Sequence, residues 1–362
     1  MPTRSGGKRK FILGGIAAMF VAAGGFALWT ARGSTPAFTD PNGAPVPGAV
    51  AEERWIELGG VRQYVLLRGR DRTAPLLINV HGGPGMSERA LYRYHNAMLE
   101  DHFVVIYWDQ RGAGKSFDTS LDPTTLTIDR MSRDLSELVD VIRAEFGQDK
   151  VLLLAHSWGT VLALEHIARR PETVAGYIGI GQVTTQLESE IEGYNWLLGE
   201  AEARGEPTAT EALRALGPPP WTADQMLEER DWLYKLNGFY AKPPAPINYI
   251  RQVLATPETA WTDIAPMFKA MPWSIQFLWD ENQTYDAFAR HPSLDAPIFL
   301  LLGRHDHAVS PGLAEAWLAQ LDAPLKEAIW YETAGHMVPA EDPPAFNRDV
   351  LRIARQLGLI AN

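Results

Sequence analysis

The chain has 362 residues, 33 Lys and Arg against 44 Asp and Glu, a net charge of −11 and 46% hydrophobic residues. That length can hold a full hydrophobic core plus a second lobe, and the acidic balance argues against nucleic acid, whose binding needs a basic face. No cysteine is present, which excludes disulfides, a thiolate nucleophile and a cysteine-based zinc site.

The charge is unevenly spread. Residues 1–39 hold five bases (Arg4, Lys8, Arg9, Lys10, Arg32) and no acid, leaving 28 − 44 = −16 for residues 40–362. Four of those bases precede Phe11–Trp29, an uncharged apolar stretch near bilayer-spanning length. Residues 1–32 therefore read as a basic segment and membrane anchor. The positive-inside bias puts the first residues in the cytoplasm and the body outside, periplasmic or extracellular. Secretion after signal cleavage is the alternative. Residues 33–50, rich in Pro and Gly, read as a linker with little to bury.

From Trp55 to Leu67 the pattern is a hairpin turning at Gly59-Gly60. Pro75–Val80 is an apolar strand running into His81-Gly-Gly-Pro-Gly85, and Phe103–Trp108 is another, running into Asp109-Gln-Arg-Gly-Ala-Gly-Lys-Ser116. The latter ends like a phosphate-binding loop, but the opening glycine of that motif falls on Asp109, so nucleotide binding is rejected. Asp109 and Arg111 are expected to hold this loop, as an ion pair. Ile128, Met131, Leu135, Leu138, Val139, Ile142 and Phe146 have helical spacing, with Thr127 as N-cap and Gly147 as stop.

Val151–Leu154 is a buried strand followed by Ala155-His-Ser-Trp-Gly159 and a helix-forming stretch. Strand, sharp turn carrying a serine, then helix is the context of a nucleophile elbow. The small residues Ala155 and Gly159 flank Ser157 where the turn is tightest. Val174–Ile180 continues the strand–helix alternation, which implies a mostly parallel sheet flanked by helices. Between 183 and 290 the strands stop, and Trp, Tyr and Pro punctuate short helical stretches. This insertion reads as a helical cap on a core made of 51–182 and 291–362.

Pro297–Gly303 is again a buried strand, ending in Gly303-Arg-His-Asp306, and Glu327–Tyr331 a shorter one, followed by Ala334-Gly-His336. Asp306 and His336 both follow the C-terminal ends of strands, where open parallel sheets place ligands. The order serine, acid, histidine is that of an α/β-hydrolase triad. A metal on His305-Asp306-His307 is rejected, because an extended backbone sends the two imidazoles to opposite sides.

His81-Gly-Gly-Pro-Gly85, Asp109-Gln-Arg-Gly-Ala-Gly-Lys-Ser116, His156-Ser-Trp-Gly159, Gly303-Arg-His-Asp306 and Gly335-His336 together resemble the proline iminopeptidase branch of the α/β-hydrolases. The likeness covers roughly residues 54–182 and 295–358; Ala155 departs from the glycine that commonly opens the elbow. The resemblance implies an α/β-hydrolase fold with a helical cap after the sixth strand, and cleavage of an N-terminal residue, often proline, from a small peptide. It implies no metal and no organic cofactor. Ser157 is then the nucleophile, His336 the base, Asp306 its orienting acid, and the N–H groups of Gly83 and Trp158 the oxyanion hole. Family exopeptidases hold the substrate amine with cap carboxylates, for which Glu188, Glu190 and Glu192 are candidates. A carboxylic-ester or amide hydrolase with the same triad and no need of a free amine is the alternative, because fold and triad do not fix the substrate.

Overall fold

A computed structural model describes residues 33–242 and 246–361. The Phe11–Trp29 anchor lies outside the described residues; among them, no helix is long and apolar enough to cross a membrane. The elements run β1 (Val50–Leu58), β2 (Val61–Gly69), β3 (Leu76–Val80), α1 (Arg89–His95), β4 (Val104–Trp108), α2 (Ile128–Phe146), β5 (Val151–His156), α3 (Trp158–Arg169) and β6 (Val174–Ile180). Then come α4 (Gln186–Arg204), α5 (Pro207–Leu216), α6 (Ala223–Lys235), α7 (Pro246–Ala255), α8 (Ile264–Gln283) and α9 (Ala287–Arg290). The chain closes with β7 (Ile298–Gly303), α10 (Pro311–Gln320), β8 (Lys326–Tyr331), α11 (Val338–Glu341) and α12 (Pro343–Gln356).

The strands form one sheet in the order β1-β2-β4-β3-β5-β6-β7-β8. β1 and β2 are antiparallel to their neighbours and every later pairing is parallel. β4 and β5 leave β3 on opposite sides, so the strand order reverses at β3, and the crevice at such a switch point is where α/β sheets bind ligands.

The central strands read as unbroken apolar runs because both their faces are covered. Leu76, Ile78, Leu153 and Ala155 face a cluster with Leu135 and Val139 of α2 and Leu164 of α3. Their alternates Leu77, Leu152 and Leu154 pack with Phe346 and Val350 of α12 on the other side. The helices after β6 have their own core, including Leu197, Leu213, Trp221, Leu233 and Trp279. α2 has the expected ends: the Thr127 hydroxyl accepts the Arg130 N–H, and Gly147 closes it in the left-handed conformation, φ 62°.

The segment expected to be a free linker is tied down instead. The Thr35 N–H donates to Glu53 at 2.7 Å, the Thr35 hydroxyl donates to Glu258 at 2.9 Å, and Arg68 donates to the Pro36 carbonyl at 2.8 Å. Arg68 also lies over the Phe38 ring, 4.5 Å from its centroid. Pro and Gly composition does not reveal these partners, which sit on β1, β2 and the loop after α7.

Candidate active site

Ser157 occupies the turn between β5 and α3 with φ 50° and ψ −125°. A left-handed φ at a serine costs about 1–3 kcal/mol and persists only when its surroundings enforce it. Two features enforce it here. The Ser157 N–H donates to the Ile180 carbonyl at 2.8 Å, tying the turn to the end of β6. α3 leaves so close to β3 that a Cβ at Gly159 would sit 2.2 Å from the Val80 carbonyl oxygen, so only glycine fits. Ala155, fully buried, pairs in register with Val80 and Gly179.

His336, after β8, comes to the same place. Gly181 directly follows Ile180, and a Cβ there would lie 2.7 Å from the His336 ring. His336 Nδ1 is 2.8 Å from Asp306 Oδ2, and Asp306 Oδ1 accepts the Ala308 and Val309 N–H groups, each at 2.9 Å. A carboxylate accepts only, so His336 carries its hydrogen on Nδ1 and leaves Nε2 as its basic nitrogen. Ser157, His336, Gly83 and Trp158 line one cavity of about 490 Å³. Trp158 opens α3, where backbone N–H groups are free of intrahelical partners.

A second histidine, His156, to which the sequence analysis gave no role, underlies the first. His156 Nε2 donates to the His336 carbonyl at 3.0 Å, and His156 Nδ1 is 2.6 Å from Glu88 Oε1. A carbonyl and an ionised carboxylate both accept, so the two contacts favour the doubly protonated ring. Burial pushes the His156 imidazole down, but the Glu88 carboxylate outweighs it and the net shift is upward. Burial pushes Glu88 up, and His156 brings it below the ordinary carboxylate range. Nothing in the sequence pairs residues this far apart.

The two loop motifs act together on the elbow. Gln110 accepts from the Trp158 indole at 3.2 Å, and its side-chain amide donates to the His81 carbonyl at 2.7 Å. Asp109 accepts from the Ser87 hydroxyl and from the Lys115 N–H at 2.9 Å. The expected Asp109–Arg111 ion pair does not form. Arg111 instead reaches Asp134 of α2 at 2.8 Å and donates to the carbonyls of Leu58 and Gly59, while Asp109 faces Arg89 at 3.6 Å. Sequence nearness suggested the wrong partner because the chain turns at Arg111-Gly112, which sends the guanidinium to α2 while Asp109 stays on the loop.

The insertion after β6 is stitched onto these loops. The His307 N–H donates to the Gly238 carbonyl at 3.0 Å and the His336 N–H to the Phe239 carbonyl at 2.8 Å. Glu341 bridges Ala241 and Gly335 by accepting both N–H groups at 2.8 Å. His307 stacks on Trp196 with centroids 3.8 Å apart, which accounts for the second imidazole of the 305–307 fragment.

Of the three candidate amine ligands, two are displaced from the cavity wall. Glu192 is exposed, and Glu188 is exposed and accepts from the Thr185 hydroxyl at 2.8 Å, folding back on the first turn of α4. Helical geometry turns residues 188 and 192 to the solvent face and 190 inward. Glu190 is buried and paired with Arg230, which lines the cavity. Glu229, which the sequence did not single out, shares the same guanidinium.

An elbow serine, a histidine–aspartate pair and a glycine-rich loop converging at the strand-order switch define an enzyme of the α/β-hydrolase class. The chain belongs to the alpha/beta hydrolase fold family, whose model matches residues 75–343. It is 28% identical over 313 residues to a Bacillus subtilis protein named "Probable aminopeptidase YbaC", covering 86% of this chain and 98% of that one. A proline iminopeptidase of Heyndrickxia coagulans is 33% identical over 144 residues, 40% of this chain and 42% of that one. The crystal structure of a proline iminopeptidase-related protein from Thermus thermophilus superposes with a TM-score of 0.64 at 22% identity, over 86% of this chain and all of the other.

Proposed function

We propose that this hydrolase is a serine aminopeptidase that releases N-terminal residues from small peptides through an acyl-enzyme. Ser157 Oγ attacks the scissile carbonyl and His336 Nε2 takes its proton, while Asp306 keeps the other ring hydrogen in place. The N–H groups of Gly83 and Trp158 receive the developing oxyanion. His336 returns the proton to the leaving amine; water then attacks the ester with His336 as base, and Ser157 is regenerated. Support for this assignment comes from the 2.8 Å His336–Asp306 contact and the strained elbow on the same cavity.

The observation that carries the aminopeptidase reading is an unbalanced acidic cluster. Glu190 and Glu229 share the single guanidinium of Arg230, so two carboxylates face one cation. Glu229 is fully buried and its Oε1 has no hydrogen-bond partner among the described residues. Burial, with Glu190 adding to it against Arg230, pushes its carboxyl up to about 7. A substrate ammonium admitted beside Arg230, the member of this cluster that lines the cavity, would supply the missing cation. The relatives named above lend the same reading their names.

A second reading, an ester or amide hydrolase indifferent to a free amine, is favoured by Arg230 already engaging both oxygens of Glu190. The two are separated by comparing an aminoacyl 4-nitroanilide with its N-acetylated form. The amine reading expects acetylation to lower kcat/KM at least about 100-fold, since it removes the charge that the buried carboxylates would meet. Equal rates would leave the ester or amide hydrolase.

An uncleaved anchor at Phe11–Trp29 with the body extracytoplasmic belongs to the same proposal, and rests on the basic flank and apolar run alone. Immunoblots of separated membrane and soluble fractions should find the full-length chain with the membrane. A shortened, wholly soluble product would establish secretion after cleavage instead.

A further inference from the structure

The cavity is larger than a proline ring requires. A dry apolar cavity of about 150 Å³ takes one benzene ring, and this one, at about 490 Å³, is about three times that size. Its long wall is one face of α8: Phe268, Met271, Ile275, Trp279 and Asn282 all line it, at spacings of three or four residues. From 268 to 282 is fourteen residues, about 21 Å at 1.5 Å per residue.

The middle of that wall is pinned over the glycine-rich loop. A Cβ at Gly85 would lie 2.5 Å from the Ala270 carbonyl oxygen and 2.8 Å from Ser274 Oγ, and Ser274 donates to the Gly112 carbonyl at 3.0 Å. The apolar face therefore extends both ways from the level of the oxyanion loop. At one end Phe268 is 56% exposed, an open mouth; at the other Asn282 is 6% exposed. The Asn282 Oδ1 is buried with no partner among the described residues, so that end holds a polar group that a ligand could satisfy.

We infer that the group on the acyl side of the cleaved bond is large and apolar, aromatic or long aliphatic, and lies along the Met271–Ile275–Trp279 face of α8. This rests on the reading of Ser157 as nucleophile and goes beyond it by fixing the size and polarity of the substrate. Met226, Val183 and Val309 also line the cavity, so a bulky apolar group is enclosed by apolar side chains there. Each methylene that such a wall receives is worth about 10-fold or more in kcat/KM, and a small residue leaves that contact unmade.

The test uses the full-length protein and free-amine 4-nitroanilides of alanine, proline, leucine and phenylalanine. Leucine or phenylalanine should exceed proline in kcat/KM by at least about 10-fold. Filling the wall with Ile275→Trp, or with Met271→Phe if the first variant melts early, should lower the phenylalanine value at least about 10-fold more than the alanine value. A preference for proline, or no dependence on size, would overturn the inference and leave the aminopeptidase intact. If no anilide is cleaved but 4-nitrophenyl esters are, the aminopeptidase reading fails on its own. The octanoate-to-acetate ratio then decides the cavity: a ratio well above one upholds the inference, and a ratio near one sinks it.

Discussion

Ser157→Ala is expected to lower turnover by about 10⁴-fold or more while leaving the fold in place. The substitution removes one oxygen from a side chain with no packing duty in either face of the sheet. Alanine also tolerates the left-handed φ of 50° no better and no worse than serine, so the melting temperature should move little. Stopped assays on a 4-nitroanilide or 4-nitrophenyl ester, paired with a thermal melt, separate loss of chemistry from loss of structure. Turnover within a factor of ten of the unaltered protein would remove Ser157 from the mechanism, and with it the roles assigned to His336 and Asp306.

Arg111→Leu is expected to cost about 3–5 kcal/mol, the usual penalty for breaking a buried ion pair by deleting one partner. Arg111 is 1% exposed and holds Asp134 with two nitrogens, at 2.8 and 3.1 Å. It also caps the carbonyls of the β1–β2 turn. Burial already raises the Asp134 carboxyl above its ordinary range despite Arg111, so removing the guanidinium leaves a desolvated acid with only Arg130 and Gln63 beside it. The expected readout is a fall in Tm on the order of 10 °C. Arg111→Leu combined with Asp134→Leu should regain much of the loss, because an apolar pair of similar volume is often as stable as a buried ion pair. A single variant as stable as the parent would show that this contact contributes nothing to the fold.

How much is legible depends on whether the signal is local. The strands from β3 to β7 show in the sequence because both faces of each are covered, which writes an uninterrupted apolar run. The ends of α2 show because Thr127 and Gly147 satisfy groups within one turn of themselves. Ser157 and Asp306 stand out because each follows such a run and His336 because it follows the shorter edge strand β8, and a parallel sheet brings all those ends to one rim. The partners of Glu88, Arg111 and Arg230 are not legible. His156, Asp134 and Glu190 are distant in sequence and adjacent only through helix docking, which no spacing rule encodes.

The sequence by itself determined the layer architecture, the place of the insertion and the three strand-end residues, since each depends on a repeating apolar period or a turn that one short segment writes alone. Only the tertiary structure decided that His156 and Glu88 support His336, that the segment after residue 33 is tied to β2 and the cap, and which face of α8 lines the cavity. Those outcomes rest on pairs of side chains brought within hydrogen-bond or packing distance by several elements at once, and no single segment carries that information.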